Sequence, residues 1–319
     1  MLNEQKNAPA SLYKSLRPFL KKFRRRLRKR VRCLSKYKKL KKNNFVVKFI
    51  HEGNTEIVLP SLSIMDILFG KSSAVTRDFD YFTRPHAEVL LRKTIYEMYR
   101  TGYLSPKKSI VDIGSWISDN SIVWAKQLIE DAVVFAIDPS SNNLSFGKMV
   151  AEHNGIDNIR WVEAVCSERA GEKFDFDGSI DHATFKKSAS KNYLISTTID
   201  EIVTKESSPA LGLLHVDVEG FELSVLKGAE KLILSDQPVI SFEQHISKED
   251  VGAVSKYLKS FDYRVFMLNE VLPGCDLDCR NFLAFPRHKG IPSLENFEQS
   301  KGRDLSIFSA AIGPVLLEI

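Results

Sequence analysis

From residue 109 onward the chain alternates short, mostly apolar runs with longer stretches whose apolar residues recur every three or four positions. Such runs read as strands buried on both faces, and the longer period reads as helices packed across them. The runs are SIVDIG (109–114), AVVFAID (132–138), NIRWVEAV (158–165), LGLLHVDV (211–218) and PVISFE (238–243), with two last strands over 263–268 and 281–286. Helices are predicted over 119–130 with Asp119 as N-cap, from the second strand to about Asn154, over Phe221–Leu234, and from a Ser247/Asp250 capping box to about Phe261. Strands separated by helices of roughly 10–15 residues pair in parallel through crossovers, so the expectation is an α/β fold with a mostly parallel sheet covered on both faces. Residues 45–60 read as two short strands around Glu52–Gly53–Asn54, and 86–103 carry helical spacing at Val89, Leu90, Leu91, Ile95 and Met98.

Charge divides the chain differently. Residues 1–50 hold 18 Lys+Arg against the single acid Glu4, while the other 269 residues carry 28 basic and 39 acidic side chains. An acidic body therefore bears a basic arm, and the arm has its own stripe: Leu12, Leu16, Leu20, Phe23, Leu27, Val31 and Leu34. That spacing predicts a basic amphipathic helix, able to lie on an anionic membrane or to track nucleic-acid phosphates through residues 12–42. Few aromatics accompany it, which weakens the nucleic-acid reading. The expected units are an arm (1–44), a hairpin and helix leading into the core (45–105), the core (106–288) and a C-terminal extension (289–319). Four cysteines make no disulfide framework, and no run of about 18 uncharged apolar residues or signal-peptide pattern is seen. The expectation is a cytoplasmic protein, peripheral at a membrane if the arm binds one.

In an open parallel sheet, ligands bind beyond the carboxyl ends of the strands, where strand order reverses. Five loops follow from that rule: 112–121, 138–142, 164–167, 217–222 and 243–245. The first, DIGSWISDNS, has one glycine at the strand end. It lacks the glycines a pyrophosphate needs, which weakens NAD and FAD and leaves room for a smaller ligand. In AIDPS, Asp138 is placed either to bond a ribose or to cap the next helix. HVDVEGFE crowds Asp217, Glu219 and Glu222 at a strand end and helix start, where Glu222 suits a capping role. SFEQH sets Glu243 and His245 at the end of the fifth strand. Asp217, Glu219, Glu243 and His245 also resemble a hard-metal ligand set, and Cys275-x-x-x-Cys279 a fragment of a zinc site, but no metal is expected.

Taken in order, DIGSWISDNS, AIDPS, TTIDEI (197–202), HVDVEGFELSVLKGA, PVISFEQH and CRNFLAFP (279–286) resemble the FkbM-type methyltransferases over roughly residues 80–286. The resemblance implies a class I, Rossmann-like fold with a seven-stranded sheet whose last strand is antiparallel. It further implies S-adenosylmethionine as donor and a hydroxyl as acceptor. Carried over, Asp112, Gly114 and Ser115 border the methionine moiety, with Trp116, Asp119, Asn120 and Ser121 completing that loop. Asp138, beside Pro139, takes the ribose, and the turn of Ala164, Val165 and Ser167 flanks the adenine. Asp217 and Glu219 face the reacting centre. One departure is Ser118, where the family usually has a second glycine.

Methyl transfer to an alcohol needs its proton removed, a task assigned to Glu243 or His245, with Asp217 or Glu219 as alternative bases or substrate anchors. The expected activity is O-methylation of a sugar, glycan or glycolipid. Two alternatives stand beside it: an RNA methyltransferase gripping phosphates with its arm, and an inactive methyltransferase-like binding module. The RNA alternative predicts that rising salt suppresses activity on RNA and that deleting residues 1–44 abolishes RNA binding, both measurable by filter binding and methyl transfer.

Overall fold

The computed structural model describes residues 45–51, 55–60, 88–175, 193–206, 208–246, 250–270, 279–294 and 315–319. The basic arm, the turn at 52–54, Ser247 and Cys275 lie outside the described residues. The first strands are β1 (Phe45–His51) and β2 (Thr55–Pro60), followed by helix α1 (Val89–Arg100). The core runs β3 (Ser109–Ile113), α2 (Asp119–Ala125), β4 (Val134–Asp138), α3 (Ser141–His153) and β5 (Ile159–Glu163). Three short strands follow, β6 (Val165–Cys166), β7 (Lys173–Asp175) and β8 (Tyr193–Thr197), and then α4 (Ile199–Lys205) and β9 (Leu211–Val216). The chain continues through α5 (Glu222–Lys227), α6 (Glu230–Asp236), β10 (Val239–His245), α7 (Val251–Lys259), β11 (Tyr263–Leu268), β12 (Cys279–Pro286) and β13 (Leu316–Glu318).

The main sheet has the order β13-β11-β12-β10-β9-β3-β4-β5. Pairings from β10 through β5 are parallel, and β12 runs antiparallel to both β10 and β11. This mostly parallel sheet, with an antiparallel strand toward one edge and helices on both faces, is the arrangement the resemblance implies. Where seven strands were expected, the main sheet formed by the described residues has eight. The addition is β13, antiparallel to β11 and held by a two-bond ion pair from Arg264 to Glu318 at 2.7 and 2.8 Å. Three residues at the far end of the chain carry too little periodicity to be read as a strand.

Alternate side chains of the strands feed two cores. Ile110, Val134, Ala136, Leu213 and Val239 face α1, α2 and α3. Val111, Phe135, Leu214, Val216 and Ile240 face α4 through α7. β3, β4, β9 and β10 are buried along their whole length, which is why they read as continuous runs rather than alternations.

Several predicted bounds shift for identifiable reasons. The run 158–165 divides at Ala164, because Val165 and Cys166 leave the main sheet to pair with Ser196 and Thr197 of β8. The helix over 221–234 breaks at Gly228. There the Gly228 carbonyl accepts from Asp200 N, and the Asp200 carboxylate accepts from Lys231 N and Leu232 N, so an acid from α4 caps α6. A side chain at Gly228 would meet the Ser167 carbonyl at 2.2 Å, so the break also makes room for the β6 turn. Helix α2 ends at Ala125, and its N-cap is Ser118 rather than Asp119. Helix α7 is capped by Asp250, whose side chain accepts from Ala253 N.

The β1–β2 hairpin is fastened by one side chain. Asn154, just past α3, accepts from Val58 N at 2.8 Å and donates to Val58 O at 2.9 Å, reproducing the bonding of a neighbouring strand. Ile57 and Leu59 on either side are fully buried, each contributing about 1.5–3 kcal/mol. Asn154→Ala is expected to cost about 1–3 kcal/mol, the worth of two such bonds. Urea unfolding measures the loss, and hydrogen exchange at Val58 should accelerate with it.

Candidate active site

Strand order reverses between β3 and β9, whose carboxyl ends diverge. Their parting is held tightly: Asp217 N donates to Ile113 O at 2.9 Å, and a Cβ on Gly114 would lie 1.6 Å from the Asp217 carbonyl oxygen. Gly114 also takes φ 72°, so no other residue fits there. The same turn bonds to the next strand, with Gly114 N and Ser115 N both donating to Ile137 O at 3.0 Å. Trp116 N then donates to Asp138 Oδ2 at 3.0 Å, while Asp138 Oδ1 accepts from Ser140 N at 2.7 Å and Asn143 Nδ2 at 3.2 Å. The cap of α3 is Ser140, so Asp138 is not the helix cap but the joint between two loops.

The rest of the first loop turns inward. Ser121 Oγ donates to Asp112 Oδ2, and Asp119 accepts from Arg92 at 2.7 Å, all four being buried. Asn120 is buried beside them. The loop's outer face is made by Gly114, Trp116 and, across from them, Pro139 and Ala164, which are half-buried. Ser118 has φ 62°, the conformation for which glycine would be expected, and its side chain is accommodated by Gly147 of α3. A Cβ at Gly147 would lie 2.6 Å from Ser118 Oγ, so the two positions have exchanged bulk.

Asp-Val-Glu-Gly forms the opposite wall. Glu219 and Gly220 have successive φ values of 53° and 98°, which reverse the chain over the strand end. Glu222 is buried and closes this turn by accepting from Val218 N at 3.3 Å and Gly220 N at 3.0 Å. Its role is structural, as the capping reading anticipated. The reversal swings Glu219 Oε2 to 3.3 Å from His245 Nε2, which projects from the end of β10. A left-handed non-glycine residue is costly, and here the strained residue carries the contact. Asp217 stands half-buried beside the pair in sequence, and Glu243, two residues before His245, shares its face of β10.

The third predicted turn divides. Ala164 N donates to Asp138 O at 3.3 Å and stays near the joint. Val165 and Ser167 are buried, and Ser167 Oγ bonds Arg169 O and Glu172. Sequence reasoning missed Glu88, Arg92, His215, Ser241 and Asn281, which lie on the α1–α2 side of the sheet at or just below the strand ends. Asn281 Nδ2 donates to Glu88 at 3.2 Å, and Trp124 meets the His215 ring edge-on at 5.2 Å. A polar residue every second position along β10, at 241, 243 and 245, was the available signal. Among the described residues, no group of three or more His, Cys, Asp or Glu is arranged to hold a metal ion.

Burial dominates the electrostatics. It pushes the Asp112 carboxyl up to about 7 against the opposing Ser121 bond, with the charges of Asp119, Glu88 and Asp138 adding to the rise. Asp138 is likewise pushed up to about 7 by burial despite three hydrogen bonds that lower it. Asp119 is raised by burial and pulled back by Arg92. The His215 imidazole is lowered to about 4 by burial, so it is neutral at physiological pH.

Residues 127–265 match the family model described as a methyltransferase FkbM domain, which bears out the resemblance read from the sequence. That span contains Asp138, Asp217, Glu219, Glu243 and His245, while the 112–121 loop precedes it. Comparison with solved structures returns methyltransferase FkbM from Methylobacillus flagellatus KT, at 19% identity and a TM-score of 0.44, covering 73% of this chain and 63% of that one. It also returns precorrin-6y C5,15-methyltransferase from Geobacter metallireducens GS-15, at 13% identity and a TM-score of 0.37, covering 61% of this chain and 89% of that one. A third is ribosomal protein L11 methylase from Lactobacillus delbrueckii subsp. bulgaricus, at 12% identity and a TM-score of 0.36, covering 62% of this chain and 79% of that one. Comparison with curated proteins gives no match. Among the described residues no helix is long and apolar enough to cross a membrane.

The raised carboxyl groups set a pH dependence. Between the ordinary carboxylate range near 4 and about 7, the folded state holds protons on Asp112 and Asp138 that the unfolded chain releases. Their contribution to stability is therefore greatest at low pH and is lost as pH rises through 7. Asp112→Asn, which keeps an acceptor for Ser121, should gain stability relative to wild type on going from pH 5 to pH 8. Urea unfolding at the two pH values tests this, and an unchanged difference would show that Asp112 ionises normally.

Proposed function

We propose that this FkbM-type methyltransferase domain uses S-adenosylmethionine to methylate a hydroxyl of an uncharged, hydroxyl-rich acceptor such as a sugar, glycan or glycolipid head. The observation that carries the reading is the approach of Glu219 to His245, from two different strand ends, beside Asp217. Bound at the parting of β3 and β9, the cofactor supplies an electrophilic methyl group on a cationic sulfonium.

The residues there fit such a group. Gly114 leaves the backbone bare, Ser115 Oγ is buried without a hydrogen-bond partner, and Asp112 and Asp138 offer carboxylates whose ionised forms a cation would favour. Asp138 has accepted three of the four hydrogen bonds a carboxylate can take, which leaves capacity for a ribose hydroxyl. Asp112, Ser115, Trp116 and Asp138 would hold the donor, with Ala164 and Pro139 at its far end.

Catalysis by the chain's own groups then has two parts. Glu219 accepts from His245 Nε2, which fixes the ring's tautomer and makes Nδ1 the basic nitrogen. His245 takes the acceptor's hydroxyl proton as its oxygen becomes the nucleophile, and Asp217 and Glu243 orient the acceptor. A positioned base of this kind contributes about 10²–10⁴-fold. The acids Asp217, Glu219 and Glu243 at and just beyond the ends of β9 and β10 give a surrounding that favours a neutral acceptor over the phosphates of RNA.

Calorimetric titration of S-adenosylhomocysteine and transfer of labelled methyl to a set of hexose and deoxyhexose methyl glycosides test the proposal together. Binding should be lost in Asp138→Ala, whereas His245→Ala should bind normally and transfer about 10²–10⁴-fold more slowly. Undiminished transfer by His245→Ala would remove the base. Methylation of an RNA oligonucleotide in place of the glycosides would overturn the acceptor.

A further inference from the structure

A row of buried polar atoms beneath the strand ends is used neither by the Glu219–His245 pair nor by the loops around Asp138. His215, Ser241 and Asn281 are 2%, 0% and 1% exposed, and His215 Nδ1, Ser241 Oγ and Asn281 Oδ1 have no hydrogen-bond partner. Buried polar atoms are paired in nearly all folded proteins, so three unpaired atoms on adjacent strands call for a ligand or solvent that completes them.

Register brings the three together. His215 lies opposite Ser241 across the β9–β10 pairing and opposite Asp112 across the β3–β9 pairing. Asn281 of β12 lies opposite Glu243, two residues beyond Ser241 on the same face of β10. All therefore share the face covered by α1 and α2, one step below Asp217 and Glu243. Trp124 closes one side of His215, and Glu88 orients Asn281 through its amide nitrogen, leaving the amide oxygen as the unpaired atom.

The chemistry of the row selects its ligand. A neutral imidazole and a hydroxyl can each donate or accept, and the amide oxygen accepts only. The flanking Asp112 and Glu243, when ionised, also only accept. A ligand that satisfies this set must bring hydrogen-bond donors and no negative charge. Hydroxyl groups do so, and a phosphate does not.

We propose that His215, Ser241 and Asn281 form the floor of the acceptor site and bind hydroxyl groups of the sugar being methylated. The proposal rests on the acceptor reading above. Burial holds His215 neutral, so the floor keeps the same hydrogen-bonding character across the physiological range.

Full-length Ser241→Ala and His215→Leu proteins test it. Each is expected to bind S-adenosylhomocysteine within about twofold of wild type by calorimetry. Ser241→Ala should unfold at an unchanged or higher temperature and His215→Leu within about 5 °C of wild type, because Ser241 Oγ and His215 Nδ1 have no hydrogen-bond partner in the free protein. Methyl transfer to the glycoside on which the wild type acts should fall about 10-fold or more in kcat/KM, chiefly through KM, as loss of a hydrogen bond to substrate predicts. A drop in unfolding temperature of about 5 °C or more in both would make the row structural and overturn the proposal. Unchanged kcat/KM would overturn it while leaving the acceptor reading intact. If the wild type methylates no glycoside, the acceptor reading itself fails and the floor falls with it.

Discussion

The contact between Gly114 and the Asp217 carbonyl governs the active end of this protein. Two parallel strands end side by side at that point, their connections leave to opposite sides of the sheet, and so close an approach is possible only because one of them ends in a residue with no side chain. The hydrogen bond from Asp217 N to Ile113 O carries the β3–β9 pairing one residue past the end of β9. Beyond it the two chains are free to carry different chemistry. One turns through Trp116 to Asp138, and the other reverses at Glu219 toward His245. Enlarging position 114 would alter both walls at once, which no substitution further out on either loop could do.

Around that opening the protein keeps carboxyl groups in places where water cannot solvate them. Burial raises Asp112 and Asp138 toward neutrality, and the fold tolerates this by surrounding them with donors, Ser121 for the first and Trp116, Ser140 and Asn143 for the second. Acids poised near 7 respond strongly to an arriving positive charge, since a nearby cation favours the ionised form. The donor proposed above, with its sulfonium and ammonium groups, would on binding make such a site more negative. Stability is given up in the free protein where the ligand can return it, a pattern typical of sites that bind charged groups.

Most of the architecture was legible because it depends on periodicity. β3, β4, β9 and β10 are buried on both faces, so their sequences read as apolar runs, and the helices between them repeat at helical spacing. That acids and His245 stand at the carboxyl ends of the parallel strands was legible for a related reason: strand ends follow from the apolar runs, and acids there are conspicuous. What escaped depends on register and on contacts between distant segments. His215 sits alone in an apolar run and Asn281 in another strand, and although Ser241 belongs to the polar alternation of β10, nothing local joins the three until pairing aligns them. The break at Gly228 depended on Asp200 from another helix, and β13 had only three residues in which to show a pattern. The Ser118 substitution was visible, but its remedy in Gly147, on the next helix, was not.

Asp138 has a consequence of a different kind. One carboxylate receives the Trp116 amide from the loop after β3 and the Ser140 amide from the start of α3, so two segments more than twenty residues apart share a single anchor. Neither can shift without withdrawing a bond from the other. Substitutions in the two segments will then fail to combine additively, because whichever is disturbed first has already loosened the joint on which the second depends. In evolutionary terms the two loops are one trait: a change in either is judged in the presence of the other, and they are expected to vary together or not at all.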